Sequence, residues 1–272
     1  MHVSVLYSGH SSSFQEIFID CFQLNGGSQK LYEKAIFRYN VSMKILITSG
    51  GTREAIDRVR SITNHSTGQL GKVIAESFLQ ADHQVTLVTT KSALKPDGHP
   101  NLTIIEISNV ASLQEALEPL VKSHDVLIHS IAVSDYTPVY MAGIDEVAQA
   151  DSVYDLLEKR NDQSKISSAD DYQVLFLKKT PKIISLVKEW NPAIRLIGFK
   201  LLVNVSKDEL LAVARASLEK NQADYIVAND LLDIKEGQHR AYLVSKNELI
   251  QVETKEQIAQ LILQVVTNQK EA

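Results

Sequence analysis

From Met43 onward the chain alternates between two hydrophobic rhythms. Short runs dense in Val, Ile and Leu fall at 44–49, 84–90, 102–107, 125–130, 173–178, 194–201 and 224–229. Between most of them lie stretches whose apolar residues recur every three or four positions, at 68–81, 110–123, 181–190, 206–221 and 255–267. Continuous apolar runs suit strands covered on both faces, and the intervening helices are the crossovers that parallel strands require. The pattern predicts an α/β fold, a Rossmann-like, mostly parallel sheet with helices on both faces. Two helices carry start signals: Thr180 ahead of Pro181, and Ser206 ahead of Lys207-Asp208-Glu209. Near the C-terminus, Arg240–Ser245 and Glu248–Val252 flank Lys246-Asn247 and predict a hairpin at a sheet edge.

Two segments fall outside the rhythm. Residues 1–42 lack periodicity, and Met43 opens the first strand directly. The expected organisation is an N-terminal extension, 1–42, read as a docking arm, as a poorly ordered tail or as sequence upstream of the true start, and one α/β domain over 43–272. The stretch from Ser134 to Tyr172 follows a strand end, is rich in charged and small residues, and carries Lys165 at a basic tip. It is expected to be a mobile lid, because a long loop inside a compact domain usually has a function.

Composition narrows the classes. With 272 residues and 44% apolar content the chain can bury one large core. A net charge of -5 argues against a nucleic-acid partner, whose binding face would be basic. No apolar run reaches the roughly 18 residues needed to cross a bilayer, and no signal-peptide pattern is present, so no membrane association and a cytoplasmic location are expected. Cys21 is the single cysteine, which excludes an internal disulfide and a cysteine-built metal site. His83, His99, His124, His129 and His239 show no metal-ligand spacing, so no protein-held metal site is expected.

The candidate chemistry gathers just after the strands, where open α/β sheets bind ligands. Ile45-Leu-Ile-Thr-Ser-Gly-Gly-Thr52 and Ser61-Ile-Thr-Asn-His-Ser-Thr-Gly68 read as a strand, a small-residue loop and a helix start. Gly50, Gly51 and Gly68 give backbone freedom, Thr52, Ser66 and Thr67 offer hydroxyls, and the helix N-terminus favours an anion. The gap between Gly51 and Gly68 rules out the G-x-G-x-x-G dinucleotide turn. After later strands come Ser130-Ile-Ala132-Val-Ser-Asp135, Gly198-Phe199-Lys200 and Ala228-Asn229-Asp230. If their loop is helical, Arg60 and Asn64 share a face and can together hold an anion and a carbonyl; a turn-forming Asn and a solvated Arg fit the residues equally well. His65 lacks a partnered carboxylate and reads as structural, while Asp135 and Asp230 can ligate magnesium or a base edge.

In one order, Ser49-Gly-Gly-Thr-Arg-Glu54, Val59-Arg-Ser-Ile-Thr-Asn-His-Ser-Thr-Gly68, Ala132-Val-Ser-Asp-Tyr136, Lys165-Ile166, Lys179-Thr-Pro181, Gly198-Phe-Lys200 and Ala228-Asn-Asp230 resemble phosphopantothenate-cysteine ligase, in its standalone bacterial form. The resemblance runs from about Met43 to the C-terminus. It implies a ligase of coenzyme A biosynthesis that joins 4′-phosphopantothenate to L-cysteine through an acyl-nucleotide, with Mg2+ and CTP, or ATP, as co-substrate. It further implies that Asn64, Arg60 and Lys165 are catalytic. Nucleotide binding falls on Asp135, Pro181, Lys182, Ile183, Ile184 and Phe199, together with the phosphate-loop residues, Ser130, Ala132, Lys220 and Asn229. A homodimer and a functional link to a separate decarboxylase are implied as well. Lys165-Ile-Ser-Ser168 is less basic than the bacterial pattern, the lid before it is longer, and Gly198-Phe-Lys200 resembles the ATP-using branch. A nucleotide-sensing regulatory protein and a nicotinamide-dependent oxidoreductase are the competing classes; the latter wants an acidic residue where Thr89 and Thr90 end a strand.

Overall fold

The computed structural model describes residues 42–161, 164–167 and 169–267. Residues 1–41 of the expected N-terminal extension, with Cys21, lie outside the described residues. In chain order the strands and helices are β1 (Lys44–Ser49), β2 (Arg53–Ala55), β3 (Ser61–Thr63), α1 (Gln69–Gln80), β4 (Gln84–Thr90), β5 (Leu102–Ile107), α2 (Val110–Val121), β6 (Val126–His129), β7 (Tyr136–Gly143), α3 (Ile144–Gln149), α4 (Val153–Leu156), β8 (Gln173–Lys179), α5 (Ile183–Trp190), β9 (Arg195–Leu202), α6 (Lys207–Lys220), β10 (Tyr225–Asp230), β11 (Ile234–Lys235), β12 (Gln238–His239), β13 (Ala241–Val244), β14 (Leu249–Val252) and α7 (Lys255–Thr267).

Eight strands form the central sheet in the order β14-β13-β10-β9-β6-β1-β4-β5. The six from β10 to β5 run parallel, and β13 and β14 close one edge as the antiparallel hairpin that Lys246-Asn247 predicts. Strand alternation sorts the core into two layers. Ile45 and Ile47 of β1 face α1 and α7, packing with Phe78, Ile74 and Ile262. Leu46 faces the other way, toward Leu113, Leu117, Ile183 and Leu210 of α2, α5 and α6. The expected α/β architecture is therefore the observed one, with helices on both faces. The chain leaves β1 toward β4 and β5, then returns to lay β6 on the other side of β1. That reversal places a crevice at the carboxyl ends of β1 and β6, where open α/β sheets bind ligands.

Three local expectations change. The apolar run at 173–178 does form a strand, but β8 pairs with β7 in a separate antiparallel ribbon and not with the central sheet. The segment from Ser134 to Tyr172, expected as a mobile lid, thus contributes β7 to this ribbon and carries two short helices, with a small core of Tyr140, Ala142 and Leu156. Thr180 and Pro181 do not start a helix: α5 begins at Ile183, and the Thr180 hydroxyl donates to the Ser134 carbonyl. By contrast Ser206 does cap α6, accepting from the Glu209 N–H.

Candidate active site

The crevice floor is built by two loops zipped together past the ends of β1 and β6. Gly51 and Ala132 continue the parallel pairing, with the Ala132 N–H donating to Gly50 O at 2.8 Å and the Thr52 N–H to Ala132 O at 3.0 Å. Beyond them the Thr52 hydroxyl donates to Ser134 Oγ at 3.0 Å and accepts from the Ser134 N–H at 2.9 Å. Ser134 O in turn accepts from the Thr180 hydroxyl at 2.6 Å, and Asp135 O from the Thr180 N–H at 3.0 Å. Thr52, Ser134 and Thr180 are all buried. Thr52 therefore does not offer its hydroxyl to a ligand as expected; it locks three loops. Glu54 is also buried, and its carboxylate accepts from the Val110 N–H at the start of α2.

Above this floor lies the start of α1. Gly68 holds φ at 78°, a conformation that penalises any residue with a Cβ, and turns the chain into the helix. Its carbonyl accepts from the Ser49 hydroxyl, tying the turn to the end of β1. No side-chain cap and no acidic residue occupies the first turn of α1 among the described residues. Its N–H groups and positive dipole end consequently suit an anion. Ser66 and Thr67 flank that opening, although Thr67 Oγ1 already accepts from the Gln69 N–H at 3.3 Å. Ser130 sits at the end of β6 with its hydroxyl donating to Thr48 O.

Asn64 is exposed beside this loop, and a Cβ at Gly51 would lie 3.1 Å from its carbonyl oxygen. The glycine thus lets the Asn64 backbone approach the floor. The face that Arg60 and Asn64 would share in a helical loop does not form, because Ser61–Thr63 is the strand β3, paired with β2. Four extended residues span about 13 Å, against about 6 Å along a helix. Arg60 sits at the hairpin tip and makes a two-donor ion pair with Asp57, Nε at 3.0 Å and Nη2 at 2.7 Å. Its charge is thereby taken up by Asp57, so it is not the open anion holder expected. The guanidinium holds the Asp57 carboxyl well below the usual carboxylate range, aided by backbone donors. Arg60 Nη2 also donates to Ile166 O at 2.9 Å, which brings the Lys165 segment to the hairpin. Lys165 itself is exposed.

The remaining expected contacts divide. Asp135 and Lys182 form an exposed ion pair, so the end of β6 and the start of α5 do meet. Pro181 is exposed beside them. Ile183 points into the core, and Ile184 lies against Gly198 of β9. Phe199 is on the opposite face of the sheet from Ile183 and Ile184, packed with the α1 and α7 layer, so the three do not border one base. Asn229 is buried, its amide 3.4 Å from His239 Nε2. Asp230 is no metal ligand: its carboxylate accepts from the N–H groups of Asn204, Val205 and Leu232, which lowers its pKa. Lys220 ends α6, which runs back against the strands, and so lies at the amino end of the sheet, away from the crevice. Sequence reading missed Asp57, although an Asp whose side chain closes on the N–H groups two and three residues later is a turn signal.

The described residues contain no group of three His, Cys, Asp or Glu side chains able to hold a metal ion, and no described helix is long and apolar enough to cross a membrane. A doubly wound sheet with an anion-receptive crevice at its switch point defines a nucleotide- or phosphate-binding class of α/β protein. Within that class, the family model for the DNA/pantothenate metabolism flavoprotein C-terminal domain matches residues 41–145 and 139–269, and the chain belongs to this family. It is 61% identical to the solved DNA/pantothenate metabolism flavoprotein from Streptococcus pneumoniae, with a TM-score of 0.81, covering 84% of this chain and 100% of that one. The solved C-terminal domain of a coenzyme A biosynthesis bifunctional protein CoaBC is 27% identical, with a TM-score of 0.63, over 84% of this chain and 96% of that chain. The CoaBC of Thermococcus kodakarensis is 34% identical over 221 residues, 80% of this chain and 48% of that protein. The chain thus spans about half the length of the curated relatives it matches.

Proposed function

We infer that residues 43–272 form one ligase domain that makes 4′-phosphopantothenoylcysteine for coenzyme A biosynthesis, with CTP preferred over ATP. The observation that carries this reading is the placement of Asn64 against Gly51 at the switch-point crevice, beside the uncapped start of α1, in a chain of this family. The name of the CoaBC relatives supports the pathway. In the first step the 4′-phosphopantothenate carboxylate attacks the α-phosphorus and pyrophosphate leaves. In the second, the cysteine amine attacks the acyl carbon, the nucleoside monophosphate leaves with the bonding pair, and the nitrogen gives up a proton.

Each part of the crevice has a task in that scheme. The α1 N-terminus with Gly50, Gly51, Ser66, Thr67 and Gly68 receives phosphate. Asn64, whose amide both donates and accepts, steadies the acyl oxygen and orients the amine. Lys165 brings a compact positive charge to the phosphates. Asp135 and Lys182, with Pro181 and Ile184, border the base on one face of the sheet; Ser130, Ala132 and Asn229 line the strand ends. Mg2+ would be carried by the triphosphate, where it would offset phosphate charge. A homodimer and cooperation with a separate decarboxylase complete the proposal.

The test is pyrophosphate release with Mg2+ and 4′-phosphopantothenate, using CTP or ATP, with and without cysteine. Cysteine-dependent turnover with CTP is expected; turnover with ATP alone would reverse the nucleotide assignment, and none with either would end the ligase reading. Asn64→Asp is expected to bind nucleotide normally while losing about 100-fold or more in product formation, the usual scale for one oxyanion donor. Full activity in that variant would remove Asn64 from the mechanism.

A further inference from the structure

The geometry points to Asp57 as the positioning residue that sets where Lys165 stands. Its carboxylate, 1% exposed, accepts five hydrogen bonds. Oδ1 takes the N–H groups of Val59 at 2.8 Å and Arg60 at 2.7 Å, which shapes the hairpin tip. Oδ2 takes Arg60 Nε and Nη2, and also the Ile166 N–H at 3.2 Å. Arg60 Nη2 closes the circuit by donating to the Ile166 carbonyl at 2.9 Å. One ion pair therefore holds both polar backbone groups of Ile166. On the other side of Lys165, the Arg58 N–H donates to Ser164 O at 3.2 Å. Lys165 is pinned through its two neighbours, while its own side chain is exposed.

Burial gives the arrangement its direction. The Ile166 side chain is 6% exposed and turned inward, so Lys165 stands outward on a segment whose register cannot slip without breaking the ion pair. An ion pair that reads the N–H and C=O of one residue fixes position as well as distance, because both bonds require the same peptide orientation. Asp57 touches no reacting atom; it acts through Ile166 and Arg60 on the placement of Lys165. This rests on the ligase reading for the task of Lys165, and displacing a charged group by about 1 Å can cost on the order of 100-fold in rate.

The test compares Asp57→Asn, Lys165→Ala and the double variant of the full chain, with amide exchange measured in parallel. Asp57→Asn is expected to lower kcat by about 30-fold or more while KM for the nucleotide stays within about threefold. Because Asp57 acts through Lys165, the double variant should be no slower than Lys165→Ala alone, within about threefold. The Ile166 amide should exchange about tenfold faster in Asp57→Asn, with β1 amides unchanged. If Asp57→Asn fails to fold, Asp57→Glu keeps the charge but displaces the carboxylate and should give the same pattern. Wild-type kcat in the folded variant, multiplicative losses in the double variant, or unchanged Ile166 exchange would each overturn the assignment. A wild-type chain making no product with either nucleotide would sink the ligase reading by itself, and the exchange comparison would still decide whether Asp57 holds the segment.

Discussion

Two layers meet at the carboxyl edge of the sheet, and they are held by opposite means. The floor joins Gly51, Thr52, Ala132, Ser134 and Thr180 through peptide groups and hydroxyls, buried and paired with one another. The hairpin tip joins Asp57, Arg60 and Ile166 through an ion pair whose arginine is 34% exposed. Neutral groups that exchange water for well-aligned partners cost little to bury, so they can hold a surface inside the protein. At the tip the Arg60 guanidinium stays at the solvent edge, while its buried partner Asp57 is matched by five donors. The difference separates a fixed surface from a charged element that holds the segment of Lys165 beside the hairpin.

Acid should break the floor side first. His129, at the end of β6, is buried with Nδ1 3.0 Å from the Thr48 hydroxyl, and desolvation pushes its pKa from 6.5 down to about 4. Between those values the unfolded chain binds a proton that the folded chain refuses. Stability therefore rises with pH across this window, and is lost as pH falls from 6.5 through 4, by up to about 3 kcal/mol from this residue. Urea unfolding of wild type and His129→Gln from pH 7.5 to 4 should show a shallower acid limb in the variant. Identical limbs would place the acid sensitivity elsewhere, for instance on His83, His124 or His239, whose pKa values burial also lowers. The Asp57 pair works the other way: its carboxyl is held below the unfolded value of 3.8, so its contribution persists throughout that range.

Thr52→Val is the next largest break. It keeps the shape and removes the hydroxyl, leaving the buried Ser134 N–H without the acceptor it has at 2.9 Å. The expected loss is about 1–3 kcal/mol, read as a melting temperature lower by several degrees, with activity falling in step. Asp57→Asn also removes a buried partner and should lower the melting temperature, but it should lose turnover out of proportion to that loss, because it frees the Lys165 segment as well. If Thr52→Val melted as the wild type does, the floor would owe its position to the strands alone.

What could be read in advance follows the same division. The apolar runs specified the central sheet because strands covered on both faces leave a continuous signal, and Leu46 and Ile47 sort to their layers by alternation alone. Gly50, Gly51 and Gly68 marked the crevice by falling in a small-residue loop between a strand and a helix start. The β8 run carried the same apolar signal as a central strand, and only its partner, β7, reveals a separate ribbon; pairing is tertiary information. The helical option for the stretch from Arg60 to Asn64 fails because a short polar stretch has no period to distinguish helix from hairpin. Thr180 reads as a helix start, and the hold of Asp57 on Ile166 leaves no local trace, because those partners lie 46 and 109 residues away.

The smallest expected effect tests where the base side of the crevice begins. Lys182 and Asp135 pair at the surface, their side chains 57% and 60% exposed, so Lys182→Ala should change stability by no more than about 0.5 kcal/mol. Its effect on nucleotide binding is a separate matter. A cation at the start of α5 that faces a triphosphate site should act through water, and such attraction fades as the screening length shrinks from about 10 Å at 0.1 M salt to about 3 Å at 1 M. KM for the nucleotide should thus rise about threefold in Lys182→Ala at low salt, with wild type and variant converging as salt is added. An unchanged KM at every salt concentration would show that Lys182 serves only Asp135. The base would then have to be held from the Phe199 side of the sheet, across β9 from Ile184, where the α1 and α7 layer reaches the same edge.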